Sequence, residues 1–314
     1  MYNRMLHCFA TGEISPKKAV ITTAGPSNKN KQREGLSMRS PGKFFMLTAA
    51  LTATISSFSA QAGEVLDRII STKTMTLACD ADYPPQSFLN DKNEMDGFDV
   101  AVAREIAKRL GAELKVVTPA WEIITAGGWG ERWDISVGSM TPTQKRAEVL
   151  EFPAVYYYTP ASFAVHSKSE IASYDDLQGK NIGACGGCTT ESYLKGDLLI
   201  EGAEAQAIDY AVKPGKIHSY ETDTNIFDDL RIGPGLRLDA TLSPLPTIHE
   251  AIANNYPLKV VGEPVYYEPL AIAVDKGDPE FSAKVTEIVD EMRKDGTLTY
   301  ISMKWYGYDY TIKK

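Results

Sequence analysis

From residue 75 onward, short apolar runs of strand length alternate with stretches whose apolar positions recur at helical spacing. Met75-Thr-Leu-Ala-Cys79 reads as a buried strand, and Asp80-Ala-Asp-Tyr-Pro-Pro85 breaks it into a loop. Phe98, Val102, Ile106, Ala107 and Leu110 then form one face of a helix, with Arg104, Glu105, Lys108 and Arg109 opposite and Gly111 as its stop. Leu114–Val117 is the next strand, so the order is strand, helix, strand, a parallel βαβ unit. Trp121–Ala126 and 134–150 repeat the pattern. A second series follows: strands at Ser162–Val165, Asn181–Cys185, Leu236–Leu242 and Leu258–Val261, with helices at Tyr174–Gly179, from about Thr190, near Asp223–Arg231 and at Thr247–Asn254. Leu270–Val274 is apolar enough for a central strand, and Ser282–Lys294 and Leu298–Tyr306 are the closing helices.

Tyr- and Pro-rich connectors near 157–162 and 264–270 separate two α/β units of similar size. The expectation is a first lobe at 63–160, a second at 161–265, and a return of 266–314 to the first. Open α/β sheets bind ligands outside the C-terminal ends of their strands, so two facing lobes place the site in the cleft between them.

Residues 1–62 stand apart. Met38 to Lys43 is basic, Phe44 to Phe58 carries no charge, and Ser59-Ala-Gln-Ala62 supplies an Ala-x-Ala cleavage site, the layout of a secretory signal peptide. The 37 residues ahead of Met38 read either as a gene-start artefact or as a cytoplasmic extension. The apolar run is short for a bilayer span, and no other long one follows. A length of 314 residues suits two domains. The net charge of −8 argues against nucleic acid, and four cysteines are too few for a disulfide scaffold.

The chemistry centres on Asp134–Arg146. Ile135–Val137 reads as a strand that stops at Gly138 and Ser139. Thr141, Pro142 and Gln144 then open a helix as N-cap, first position and return half of a capping box. Backbone N–H groups at such a helix start favour an anion, and Arg146 adds a planar fork that can clamp a carboxylate. The opposing reading is a capped surface helix with a solvated Arg. Tyr83 and Trp121 also follow strands, as do Cys188 and Thr189, and an aromatic pair can sandwich a ligand's apolar or cationic part. Packing at a core edge is the alternative for both rings.

Taken together, Tyr83-Pro-Pro, Gly97-Phe-Asp-Val100 leading into Ile106-Ala-x-x-Leu-Gly111, Trp-Asp134-Ile-x-x-x-Ser139-Met-Thr-x-Thr-x-x-Arg146, Asp176-Leu-Gln-Gly-Lys180, Gly187-Cys-Thr189, Arg237-Leu-Asp-Ala240 and Lys304-Trp-Tyr-Gly307 resemble the periplasmic amino-acid-binding proteins of ABC importers, solute-binding family 3. The resemblance covers residues 70–306. It implies a type II periplasmic-binding-protein fold, two α/β lobes on a two-stranded hinge. It also implies a monomer that delivers a small zwitterionic or carboxylate-bearing ligand to a membrane permease, without a cofactor or metal. By the same resemblance Tyr83 and Trp121 stack on the ligand side chain. Ser139, Thr141 and Arg146 grip its α-carboxylate, Thr189 (beside Cys188) completes the grip, and Asp80 meets a basic side chain. One element of the pattern is missing: Thr241-Leu-Ser-Pro244 lacks the family's acid for the α-ammonium. Asp80, Asp82 or Glu122 takes that part, or the ligand is not a plain α-amino acid.

Cys185-Gly-Gly-Cys188 reads as a structural disulfide or inert thiols, with redox and metal roles as rivals and His218 and His249 as metal partners only by elimination. Cys79 is expected to be buried. No Ser-His-Asp spacing, phosphate loop or His-Glu-x-x-His motif is present. The rival from another class is a periplasmic dehydratase of the cyclohexadienyl (arogenate/prephenate) type, which would need a cleft acid such as Glu122 or Asp82 to protonate a leaving hydroxyl.

Overall fold

The computed structural model describes residues 63–201 and 208–313. The expected signal peptide and the segment before it lie outside them. The elements run α1 (Glu64–Thr72), β1 (Thr74–Ala78), β2 (Asp82–Tyr83), β3 (Ser87–Leu89), β4 (Met95–Asp96), α2 (Phe98–Arg109), β5 (Glu113–Val117), α3 (Trp121–Thr125), β6 (Ile135–Met140), α4 (Gln144–Ala147) and β7 (Leu150–His166). After a 3-10 turn at Asp175–Leu177 come β8 (Asn181–Cys185), α5 (Thr189–Lys195), β9 (Lys216–Tyr220), α6 (Asp223–Leu230), β10 (Ala240–Pro244), α7 (Leu245–Ala253), β11 (Leu258–Asp275), α8 (Pro279–Lys294) and α9 (Thr297–Tyr306).

Eight strands make one sheet in the order β5-β1-β6-β11-β7-β10-β8-β9, and β2-β3-β4 form a small separate one. β5, β1 and β6 are mutually parallel, as are β10, β8 and β9. Between these triplets lie β7 and β11, antiparallel to each other and to their outer neighbours. The expected α/β class is therefore observed, as two parallel units joined by two long strands.

Those strands differ from the expected connectors. The Tyr/Pro stretches near 157–162 and 264–270 lie inside β7 and β11, which run unbroken from one unit to the other. Proline removes a ladder donor, but its fixed φ tolerates an extended chain at a bulge. The β7–β11 register accordingly shifts between Val261 and Tyr266 and again after Leu270, while the strands continue.

Each unit buries apolar faces on both sides of its strands. In the first, the α2 stripe of Phe98, Val102 and Ile106 packs with Met75, Leu77, Phe281, Val285 and Leu298, so α8 and α9 cover the same core. The opposite face is sealed by Ile124, Trp129, Trp133 and Leu150. The second unit packs Ile182, Ala184, Tyr193 and Leu242 on one side and Ile226, Phe227, Leu230 and Ile248 on the other. Each large apolar side chain buried this way contributes roughly 1.5–3 kcal/mol. Gly97 sets the entry to α2: at φ 123° a Cβ would sit 2.3 Å from the Gln86 carbonyl oxygen. That close approach lets Phe98 and Asp99 donate their N–H groups to Pro85 and Gln86.

Candidate functional site

A cavity of about 60 Å³ opens where β1, β5, β6, β8, β9 and β10 end. All eight residues singled out from the sequence line it: Asp80, Tyr83, Trp121, Ser139, Thr141, Arg146, Cys188 and Thr189. Asp82, Glu221, Asp223 and Glu268 join them. Glu122 does not line it and is exposed on α3.

The floor on the first unit is a knot of polar groups. Ser139, at φ 54°, donates its hydroxyl to Asp99 Oδ2 at 2.7 Å and its N–H to the Tyr156 hydroxyl at 2.9 Å. It also shares a hydrogen bond with the Tyr157 hydroxyl. Tyr156 in turn donates to Asp99 Oδ1 at 2.6 Å. Burial pushes the Asp99 carboxyl up to about 7, against the lowering effect of the two hydroxyls it accepts from.

The expected helix at Thr141 is different in detail. Strand β6 continues to Met140, and α4 is a single turn capped by Thr143, whose hydroxyl accepts from the Arg146 N–H at 3.3 Å. The cap thus falls two residues along from the expected one. One turn of four residues does not build the focused array of N–H groups expected here. Thr141 is freed for another partner and donates to Glu268 Oε2 at 2.5 Å. Thr189, from the other unit, donates to the same oxygen at 2.7 Å. Glu268 is 3% exposed, and burial raises its carboxyl above the usual range.

Arg146 is buried too. Nη1 donates to the Thr141 carbonyl at 2.9 Å and Nη2 to the Gly187 carbonyl at 3.0 Å, while the guanidinium carbon lies 5.3 Å from the Trp121 ring centroid. Burial lowers its pKa to about 10, so it stays charged near neutrality. The Gly187 carbonyl belongs to the turn closed by a Cys185–Cys188 disulfide with Cα atoms 5.4 Å apart. Of the alternatives for this pair, the disulfide is the one observed. Cys79 is buried as expected, and burial, followed by the charges of Asp99 and Asp80, pushes its thiol up to about 12.

An acid from another element lies beside the stretch Thr241–Pro244. Ser243 of β10 donates to Asp223 Oδ1 at 2.5 Å, and Asp223, at the start of α6, lines the cavity. Burial, aided by nearby Asp80, Asp82 and Glu268, raises its carboxyl to about 6. Burial likewise raises Asp80. Asp82 ties the two units together, accepting from Thr222 at 3.0 Å and Thr224 at 2.9 Å. Further ties are Gln144 N–H to the Leu199 carbonyl at 3.2 Å and Glu201 N–H to the Pro142 carbonyl at 2.8 Å. Sequence reading missed Asp223 and Glu268. The available signal for Glu268 was a lone acid inside the otherwise uncharged run Pro264–Val274.

Among the described residues no group of three His, Cys, Asp or Glu side chains is arranged to hold a metal ion, and no helix is long and apolar enough to cross a membrane.

Comparison with known proteins bears on the family and the fold. The sequence model of the family described as bacterial extracellular solute-binding proteins, family 3, matches residues 75–308. The L-cystine-binding protein TcyJ of Escherichia coli (strain K12) is 29% identical over 85% of this chain and 95% of its own length. The ABC transporter arginine-binding protein 1 of the same strain is 26% identical over 83% of this chain and 98% of its own. Among solved structures, a mutant of the arginine-binding protein of T. maritima superposes with a TM-score of 0.66 at 26% identity, over 78% of this chain and 100% of that one. The ancestral amino-acid-binding protein AncCDT-1, described as a precursor of cyclohexadienyl dehydratase, superposes with a TM-score of 0.66 at 28% identity, over 77% and 99%. The chain belongs to family 3 of the bacterial extracellular solute-binding proteins.

Proposed function

We propose that this member of the family binds a small polar ligand, an amino acid or amino-acid derivative, in the periplasm and delivers it to the permease of an ABC importer. The observation that carries the reading is convergence: residues from six strand ends meet at one cavity, and hydrogen bonds cross it from one unit to the other. Residues 63–160 with 266–314 form one lobe, 161–265 the other, and β7 and β11 are the hinge. Asp80, Tyr83, Trp121, Ser139, Thr141, Arg146, Cys188 and Thr189 are the residues assigned to the ligand. Binding works by population shift: contacts from both lobes favour the closed form, which the permease recognises. The curated relatives named above are binding proteins, which supports a role without chemistry on the ligand.

The test is a thermal-denaturation screen of the purified protein against amino acids, their amines and their amides. A true ligand at a hundred times its dissociation constant adds roughly 2.7 kcal/mol of apparent stability. A screen in which no such compound shifts the transition overturns the reading. A dehydratase is a second reading because buried Glu268, held toward its protonated form, is the kind of acid that activity needs. Consumption of prephenate or arogenate by the purified protein decides for it.

A further inference from the structure

The hydroxyls expected to seat a ligand carboxylate are engaged within the protein. The Ser139 hydroxyl goes to Asp99. Those of Thr141 and Thr189 both go to Glu268. The two terminal nitrogens of Arg146 each donate to a main-chain carbonyl, which uses two of the five guanidinium N–H groups. Glu268 thus places a carboxylate of the protein's own between the hydroxyls that were to hold the ligand's. Among the charged groups lining the cavity, five carboxylates, Asp80, Asp82, Glu221, Asp223 and Glu268, stand against a single guanidinium.

Gathering carboxylates in a partly dry cleft is unfavourable, because burial and mutual repulsion both penalise the charged form. A cation among them relieves both costs. No three of these acids are arranged to hold a metal ion. The aromatic side chains of Tyr83 and Trp121, which also line the cavity, suit an organic cation.

Resting on the reading of the chain as a solute-binding protein, we propose that its ligand is an organic cation with no free carboxylate: an amine or guanidino compound, the decarboxylated form of a basic amino acid rather than the amino acid itself. Glu268 fills the seat of the absent carboxylate and supplies negative charge to the ligand, and Asp223 receives an ammonium or guanidinium at the second lobe.

Isothermal titration of the purified protein with matched pairs tests this: arginine against agmatine, lysine against cadaverine, with glutamine as a neutral amino acid. Each amine is expected to bind at least tenfold more tightly than its parent. Glu268→Gln is expected to weaken amine binding at least tenfold, and Asp223→Asn provides the same readout should the first variant fail to fold. The proposal is overturned if the parents bind as well as the amines, or if a folded Glu268→Gln keeps its amine affinity or gains affinity for amino acids. Binding of glutamine or arginine without the amines sinks this proposal and leaves the import reading standing. Binding of none of these, or of any compound in the wider screen, removes both.

Discussion

Two buried carboxylates, one under the cleft and one inside it, make nearly the same bonds to opposite effect. Asp99 accepts the hydroxyls of Ser139 and Tyr156, all three groups belonging to the first parallel unit and its edge of β7. Glu268 accepts the hydroxyls of Thr141 and Thr189, which come from different units. Both are almost fully buried, and burial raises both pKa values. Neither burial nor hydrogen-bond count therefore separates a structural acid from a functional one. On the proposed reading, the distinguishing property is whether the partners sit on one lobe or on two.

The largest test of this contrast is Asp99→Ala. It strands the Ser139 and Tyr156 donors in a dry pocket, and urea denaturation should show a loss of about 3 kcal/mol. Ligand affinity of the protein that remains folded should fall less than its stability does, because Asp99 reaches the cavity only through Ser139. An intact stability with lost affinity would invert the comparison. A smaller effect is expected from pH. Asp223 ionises near 6 instead of 3.8, so it is largely neutral at pH 5 and charged at pH 7. For a cationic ligand, affinity should rise by up to roughly tenfold across that interval, and Asp223→Asn should flatten the profile measured by titration. The sign for folding is opposite. A carboxyl raised in the folded state lets ligand-free stability fall as pH climbs from about 4 to 6, by an amount on the order of 3 kcal/mol. The smallest expected effect distinguishes two threonines. Thr143→Ala removes the α4 cap and should cost about 1 kcal/mol in denaturant with affinity unchanged, since that hydroxyl faces its own helix.

Much of the architecture was legible because its signals are local. The α2 and α8 stripes show a clear helical period, and the ends of β1 and β8 are marked by polar turns carrying Asp80 and Cys188. What was illegible depended on partners distant in sequence. Prolines at 160, 264 and 269 signal breaks, yet pairing along β7 and β11 carries the chain through them. Strand β9 (Lys-Ile-His-Ser-Tyr) has too few apolar residues to stand out before it lies beside β8. Thr141 and Thr143 both fit a cap template, and only tertiary contact with Glu268 separates them. Asp223 was hidden because its role depends on Ser243, a strand away.

The register at the neck has one more consequence. Ala161 pairs directly with Tyr266, so the chain leaves for the second unit and comes back on facing rungs of the same ladder. A hundred-odd residues are thereby spliced in at what amounts to one point, about 5 Å across. A segment with abutting ends is a portable cassette: its counterpart from a relative can be grafted at that junction without moving the flanking rungs, exchanging the part of the cavity wall that carries Cys188, Thr189 and Asp223 while the share built by the first unit stays in place.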